Sequence, residues 1–406
     1  MKGKKVEKIK KIIQGKWWYE QHAGEESEGI LSIIANLCST LPSKYQSCFI
    51  NVVDKTGLIL SRLLNLLNLF IYPTFVIQIK EKKSRQILTI LYQGNKDSIR
   101  FLLKYINTDE NTIQIRKVKS YQKQSNSIID LIIIKSDFFY RGFFQRNKYL
   151  VFPEYISMIL DTSKSSHEII SQVSSKITND LSRAKTMGYT FEITDDYDKF
   201  LQFYQEMYVP YATWKHKSTK RIATFETIRH LMLQGAKILF LKQKNEYIFG
   251  GMFIIKGKKV ETYYAGLSKG KFNHLKYGVM ALSYVHLITI AREHKCELID
   301  FGTARAFLND GLFRYKEKWG MMIQQTSPFV SDLFSLKIKR KTNAVEKFFS
   351  QNSFIYYKDQ KFAVAFISTR KQGIDKTKSN RRILKNMQSS FFTVDEVING
   401  LKEQQR

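Results

Sequence analysis

Three consecutive β-type runs, KILFLKQ (237–243), YIFGGMFIIKG (247–257) and KVETYYAGL (259–267), are separated only by the short turns KNE and GKK. Connections that short join antiparallel neighbours, because a parallel return needs a crossover of about a dozen residues or more. The middle of the chain is thereby committed to an antiparallel meander whose faces other elements must cover. Upstream, TFEIT (190–194) reads as a strand, DDYDKFLQFYQEMY (195–208) as an amphipathic helix starting at an Asp cap, and ATFETIRHLMLQG (223–235) as a second helix closed by Gly235. Downstream come a helix over 278–294, a buried strand LIDFG (298–302), and a short helix in NDGLFRYKEKW that Asn309 is placed to cap. A helix near 343–350 and the strand KFAVAFIST (361–369) complete this part.

Between Pro73 and Ser163 the pattern is strand-rich: FVIQIK, QILTILYQG, IDLIIIK and KYLVF are β-branched or aromatic runs separated by polar turns. SKSSHEIISQVSSKITNDLSRAKTMG (163–188) then reads as one long polar helix with a Ser-rich start and a glycine stop. These signals divide the chain into a basic helical segment (1–72), an α/β lobe (73–162), a second domain (163–370) and a polar tail (371–406). The expected class is α/β of the α+β kind: mixed, mostly antiparallel sheet flanked by helices, in two lobes that could be distant copies of one another.

The net charge of +30 and a pI near 9.8 exceed what solubility needs and imply polyanionic company: nucleic acid, an anionic membrane face or a phosphate-bearing substrate. Cys38, Cys48 and Cys296 form no CxxC pair and leave one odd thiol, which supports neither a disulfide framework nor a zinc cluster. No HExxH or other metal spacing appears, so no metal site is expected. The basic opening MKGKKVEKIKKIIQGKWWYE lacks the apolar region and cleavage site of a secretory signal, and the expectation is a cytoplasmic protein with a peripheral contact at the inner membrane face as an option. The most apolar window, 57–77, carries Arg62, Asn65 and Asn68 on one helical face and Pro73 as a breaker, which reads as an amphipathic helix followed by a strand rather than a membrane span.

The order strand, helix, helix, three antiparallel strands, helix, strand, helix, strand resembles the GNAT acyltransferase fold, and the lobe resembles its FemABX-type branch, in which such domains are paired in one chain. LFRYKEKWG (312–320) is similar to that branch's run of leucine, aromatic, arginine, aromatic, lysine and terminal aromatic-glycine. DFG (300–302) lies where the branch carries a similar strand end. NDLSRAKTMG (179–188) resembles its Arg-x-Lys helix end, and FYQEMYVPYATWKHKS (203–218) its Tyr-Pro-His segment. The resemblance spans about residues 130–331 and implies an N-acyltransferase with acyl-CoA as co-substrate and no permanently bound cofactor. Its acceptor would be an amine-bearing small molecule or a cell-envelope precursor. Two alternatives stay open: an aminoacyl-tRNA-dependent transferase, which makes tRNA a partner, and a non-catalytic basic protein binding RNA or an anionic membrane.

Acyl transfer to an amine needs a deprotonated amine near the carbonyl, charge stabilisation for the oxyanion and a proton for the leaving group, but no protein nucleophile. By resemblance, Lys316 falls on the lysine that stabilises the transferring acyl group, with Tyr315 beside it as a donor. The bland reading is surface patterning, since Arg314, Lys316 and Lys318 cannot share one helical face. Glu261 and Tyr263 alternate on one strand and project to one side, which makes Glu261 a candidate base; the alternative is a solvent-facing glutamate paired with a lysine. GLSKGKFNHLKYG (266–278) leads into a helix, the setting in which Lys276 and the backbone at Gly278 could hold phosphate, or an ordinary helix-start turn. It departs from the usual GNAT pyrophosphate loop, with Leu275 in the place of Gln or Arg. Arg183, Lys185, His216 and Arg305 are further candidates for gripping an anionic substrate.

Overall fold

A computed structural model describes residues 72–80, 86–103, 113–118, 128–216, 222–324, 332–368 and 387–399. Cys38, Cys48, the basic opening and the helix expected before Pro73 lie outside the described residues. The rest forms two compact units: a central one containing Ile159–Gly302, and a flanking one built from Arg62–Met158 together with Thr303–Arg406. The linear division at 163 and 370 therefore differs from the units, because the chain after Gly302 rejoins the first lobe rather than completing the second. Strand pairing is non-local, so nothing in the local pattern around residue 302 signals that return.

Along the chain the elements are β1 (Thr74–Lys80), β2 (Ile87–Gln93), α1 (Lys96–Leu103), β3 (Ile113–Val118), β4 (Leu131–Ser136), α2 (Arg141–Arg146), β5 (Leu150–Pro153) and β6 (Tyr155–Asp161). There follow α3 (Ser166–Ser171), α4 (Ser175–Thr186), β7 (Thr190–Thr194), α5 (Tyr197–Gln202), a π-helical turn (Phe203–Tyr208), α6 (Val209–His216) and α7 (Phe225–Leu233). Then come β8 (Lys237–Gln243), β9 (Glu246–Lys256), β10 (Lys259–Leu267), a 3-10 turn (Phe272–Tyr277), α8 (Val279–Glu293) and β11 (Leu298–Arg305). Last are α9 (Gly311–Glu317), β12 (Met322–Gln324), β13 (Leu333–Ile338), α10 (Asn343–Gln351), β14 (Phe354–Lys358), β15 (Lys361–Ser368), β16 (Gln388–Thr393) and α11 (Val394–Asn399).

The flanking unit carries a sheet in the order β3-β1-β2-β4-β13-β5 and a smaller one in the order β14-β15-β16. β13 enters antiparallel between β4 and β5, so the apolar run LIIIKS of β4 is covered along its length. Lys135 interrupts that run and is nonetheless buried, with its ammonium 2.8 Å from Asp332 and donating to Ser98 Oγ at 3.1 Å. Burial works against its charge, but Asp332 and Glu154 outweigh that cost and raise its pKa above the ordinary lysine range. Within the polar tail after residue 370, SSFFTVDEVI (389–398) is the stretch with core-forming character: β16 pairs parallel to β15, and Val394 and Val397 of α11 join the main core.

The central unit realises the meander. β7, β8, β9 and β10 are antiparallel neighbours in sequence order, and β11 and then β6 follow β10. Lys244 and Asn245 both have positive φ, which suits a tight two-residue hairpin turn. The long polar helix expected over 163–188 is two helices: Ser165 and Glu168 make a reciprocal capping box for α3, and Ser174 starts α4. Serines compete for backbone groups, so a Ser-rich stretch starts helices more readily than it continues one. The helix from Asp196 instead runs further than expected, through Pro210 to His216. Proline has no N–H to give the Glu206 carbonyl, and Lys269 N–H fills that role at 3.2 Å from the loop after β10. Glycines let this helix lie close to the sheet: a Cβ on Gly266 would stand 2.5 Å from the Met207 backbone.

Candidate active site at the fork between two parallel strands

β10 and β11 pair in parallel for three residues only, Lys259–Glu261 against Leu298–Asp300. The pairing ends at the sequence Asp-Phe-Gly, through which β11 itself runs on to Arg305. Asp300 Oδ1 accepts from Gly302 N at 2.8 Å, Gly302 takes φ 73°, and Phe301 is buried against Tyr284 of α8 with ring centroids 4.1 Å apart. On the other strand Thr262 donates through Oγ1 to the Asp300 carbonyl at 3.1 Å, and the β9 register shifts between Thr262 and Ala265. Beyond Glu261, β10 continues to Leu267 with no β11 partner in the register, which leaves a strand edge inside the central unit.

Five polar side chains gather where the strands part. Glu261 Oε2 accepts from Lys256 Nζ and from the Tyr263 hydroxyl, both at 2.8 Å, and Oε1 lies 3.4 Å from Lys259 Nζ. Lys259 also donates to Asp300 Oδ2 at 2.8 Å, and Lys256 to the Tyr263 hydroxyl at 2.9 Å. Burial alone would raise the Glu261 carboxyl, but the bonds from Lys256 and Tyr263 and the charges of Lys256 and Lys259 outweigh it and hold it below the usual range. A carboxylate so stabilised is a poor proton acceptor until a donor is displaced. Glu261 and Tyr263 do share a face, as their alternation implies. Lys256, Lys259 and Asp300 were not anticipated, although the short GKK turn sets Lys256 opposite Lys259 in the hairpin register.

The loop after β10 is tied down rather than open. His274 is buried and its Nδ1 lies 2.6 Å from the Tyr189 hydroxyl. Gly278 has φ 80°, and a Cβ there would lie 1.9 Å from the Asp180 carbonyl oxygen of α4. Its lack of a side chain thus answers a helix contact, while Lys276 is exposed. Arg183, also exposed, forms an ion pair with Asp180; Lys185 is exposed, and His216 ends α6.

Three further candidates, Lys316, Tyr315 and Arg305, belong to the flanking unit. Lys316 is 2% exposed, with Phe313 and Trp319 buried on the same side of α9, and its Nζ donates to the Thr303 carbonyl at 3.0 Å. Surface patterning is thereby rejected for Lys316 and holds for Arg314, which is exposed; Tyr315 is partly buried. Arg305 is mostly buried, its guanidinium 3.6 Å from Asp310 and 5.3 Å from the Phe101 ring centre. Asp310, not Asn309, caps α9 by accepting from Leu312 and Phe313 N–H; Asn309 donates to Gln351 O and Asn352 Oδ1 instead.

An antiparallel meander whose last strand forks from a parallel neighbour, with a helix in the crossover, gives the central unit a GNAT-like fold. In the flanking unit β1 and β2 form a hairpin followed by α1, by β3 antiparallel to β1 and by β4 parallel to β2, a related order with one strand more. No family model and no curated protein matches the chain. Among solved structures it is similar to FemX, at 14% identity over 64% of this chain and 83% of that one, with a TM-score of 0.37. It is similar to L-PGS from Bacillus licheniformis (14%, 70% and 90%, 0.34). It is also similar to a GCN5-related N-acetyltransferase from Sphaerobacter thermophilus (9%, 62% and 73%, 0.30). Among the described residues no helix is long and apolar enough to cross a membrane, and no group of three acidic, His or Cys side chains could hold a metal.

Proposed function

We propose that the protein is an acyltransferase that passes an acyl group from an activated donor directly to an amine acceptor, without a covalent enzyme intermediate. The fork carries this reading. The part of β10 that β11 leaves unpaired is an edge to which an extended, amide-bearing donor arm can add as a further strand. Such an arm would bring its carbonyl beside Glu261 and Tyr263. Acyl-CoA has an arm of this chemistry, and its phosphates suit the +30 charge.

In this reading Glu261 first holds the ammonium form of the acceptor in competition with Lys256, and the Tyr263 hydroxyl serves as a proton carrier at the same oxygen. The charge equally suits an aminoacyl-tRNA donor, so both donors belong in one test. The purified full chain is incubated with acyl-CoA or aminoacyl-tRNA and a panel of amines, with release of free thiol or deacylated tRNA as the readout. The proposal expects acceptor-dependent release from one donor class and its loss in Glu261→Gln/Tyr263→Phe. Binding of either donor with no acceptor-dependent release would overturn it.

A further inference from the structure

The segment DFFYRGFFQRNK, Asp137–Lys148 in the flanking unit, presents aromatic side chains on two sides of one short helical run. One side is anchored. Phe144 is buried in a cluster with Val151, Leu333 and Tyr357, against which Phe138 and Tyr140 pack. The Arg141 guanidinium lies 4.5 Å from the Phe138 ring centre and 5.0 Å from that of Tyr357, and Gln145 donates to the Tyr357 carbonyl at 2.9 Å. The other side holds Phe139, 58% exposed, and Phe143, 59% exposed, one helical turn apart. Folding gains little from two phenylalanines left so open, while the anchoring fixes them in place.

The charge along the run is mostly basic. Arg141, Arg146 and Lys148 are its cations, and its one acid, Asp137, is buried and caps the run by accepting from Phe139 N–H. Lys337 extends the group, its Nζ donating to the Asn147 carbonyl at 3.3 Å. Burial first, and then the charges of Lys339 and Lys148, depress the Lys337 pKa, a sign that these cations crowd one another.

We infer that this helical run docks the protein on an anionic lipid bilayer, with Phe139 and Phe143 entering the acyl boundary and the basic residues meeting headgroup phosphates. Apolar side chains collared by cations match a surface that offers an apolar phase beside anions. A second copy would set the same cations against one another. RNA phosphates would engage the cations and give the phenylalanines no apolar phase. The inference is independent of the acyl-transfer reading.

The test is co-sedimentation of the full chain with phosphatidylcholine vesicles with and without phosphatidylglycerol. Phe139→Ser/Phe143→Ser should fold as the parent does, because both side chains are exposed, and should lower the partition coefficient on anionic vesicles at least about tenfold. Phe143→Trp should retain binding, since tryptophan favours the membrane interface. Arg146→Gln should cost about fivefold at low salt and less at high salt. Unchanged partitioning of the folded double serine variant would overturn the inference. So would a loss confined to self-association or to binding of a single-stranded RNA oligonucleotide, with vesicle binding intact.

Discussion

Replacing Gly278 by alanine separates backbone strain from helix packing when it is compared with the same change at Gly270. The two glycines have nearly equal φ, 80° and 79°, but a Cβ at Gly270 would find nothing within 4 Å, whereas at Gly278 it would stand 1.9 Å from the Asp180 carbonyl oxygen and 3.3 Å from Ala184 Cβ. A left-handed alanine costs about 1–2 kcal/mol, offset by about 0.4–1 kcal/mol because alanine restricts the unfolded chain. Gly270→Ala should therefore lose about 1 kcal/mol. Close carbon–oxygen contacts settle near 3.3 Å or more, roughly 1.4 Å beyond the distance available, so α4 and α8 must move apart. Overpacking of that kind adds about 1–3 kcal/mol, which puts Gly278→Ala near 2–4 kcal/mol. Equilibrium urea unfolding of both variants measures the difference. Equal destabilisation would refute the reasoning and return Gly278 to a role in ligand approach.

Lys316→Met keeps the apolar stem in its buried slot and removes the charge above Thr303; with a donor in hand, it should lower turnover by on the order of 100-fold with little change in donor affinity. Arg314→Met, on the exposed side of α9, should turn over normally, and equal turnover in both variants would end the catalytic reading of Lys316. Burial holds the His274 pKa below its ordinary value, with help from the Lys271 charge, and burial alone does the same for His286. Each then binds fewer protons when folded than when unfolded, so their contribution to stability is full above the unfolded value near 6.5 and falls as pH drops below it. Denaturant midpoints from pH 7.5 to 5 should decline, and His274→Phe should flatten that slope.

The legibility of the chain follows the range of the interactions. The meander, its turns and most helices were readable because they rest on local periodicity, capping and φ preferences: the Asp196 cap, the Lys244–Asn245 turn and the Gly235 stop are written within a few residues of where they act. One helix boundary failed because a distant group decided it, whereas the split of the 163–188 helix was set by local serine caps. The helix after Asp196 survives Pro210 because Lys269 takes up the Glu206 carbonyl, a partner 63 residues away by the numbering.

The candidate site divides in the same way. Alternation on one strand placed Glu261 and Tyr263 together, but the lowered Glu261 pKa comes from Lys256 on a neighbouring strand as well as from Lys259 and Tyr263 on its own. A spacing of three marks Phe313, Lys316 and Trp319 as one helical face, yet only burial shows that this face turns inward and carries the lysine with it.

The sequence by itself determined the strand–helix order, the antiparallel core and the basic character, because each follows from neighbours in the chain. Only tertiary structure decided that the last quarter rejoins the first lobe, that β10 and β11 part after three pairs, and that Gly278 is an α4–α8 contact. Those outcomes depend on which backbone and side-chain groups meet across tens or hundreds of residues, and no local period encodes such a meeting.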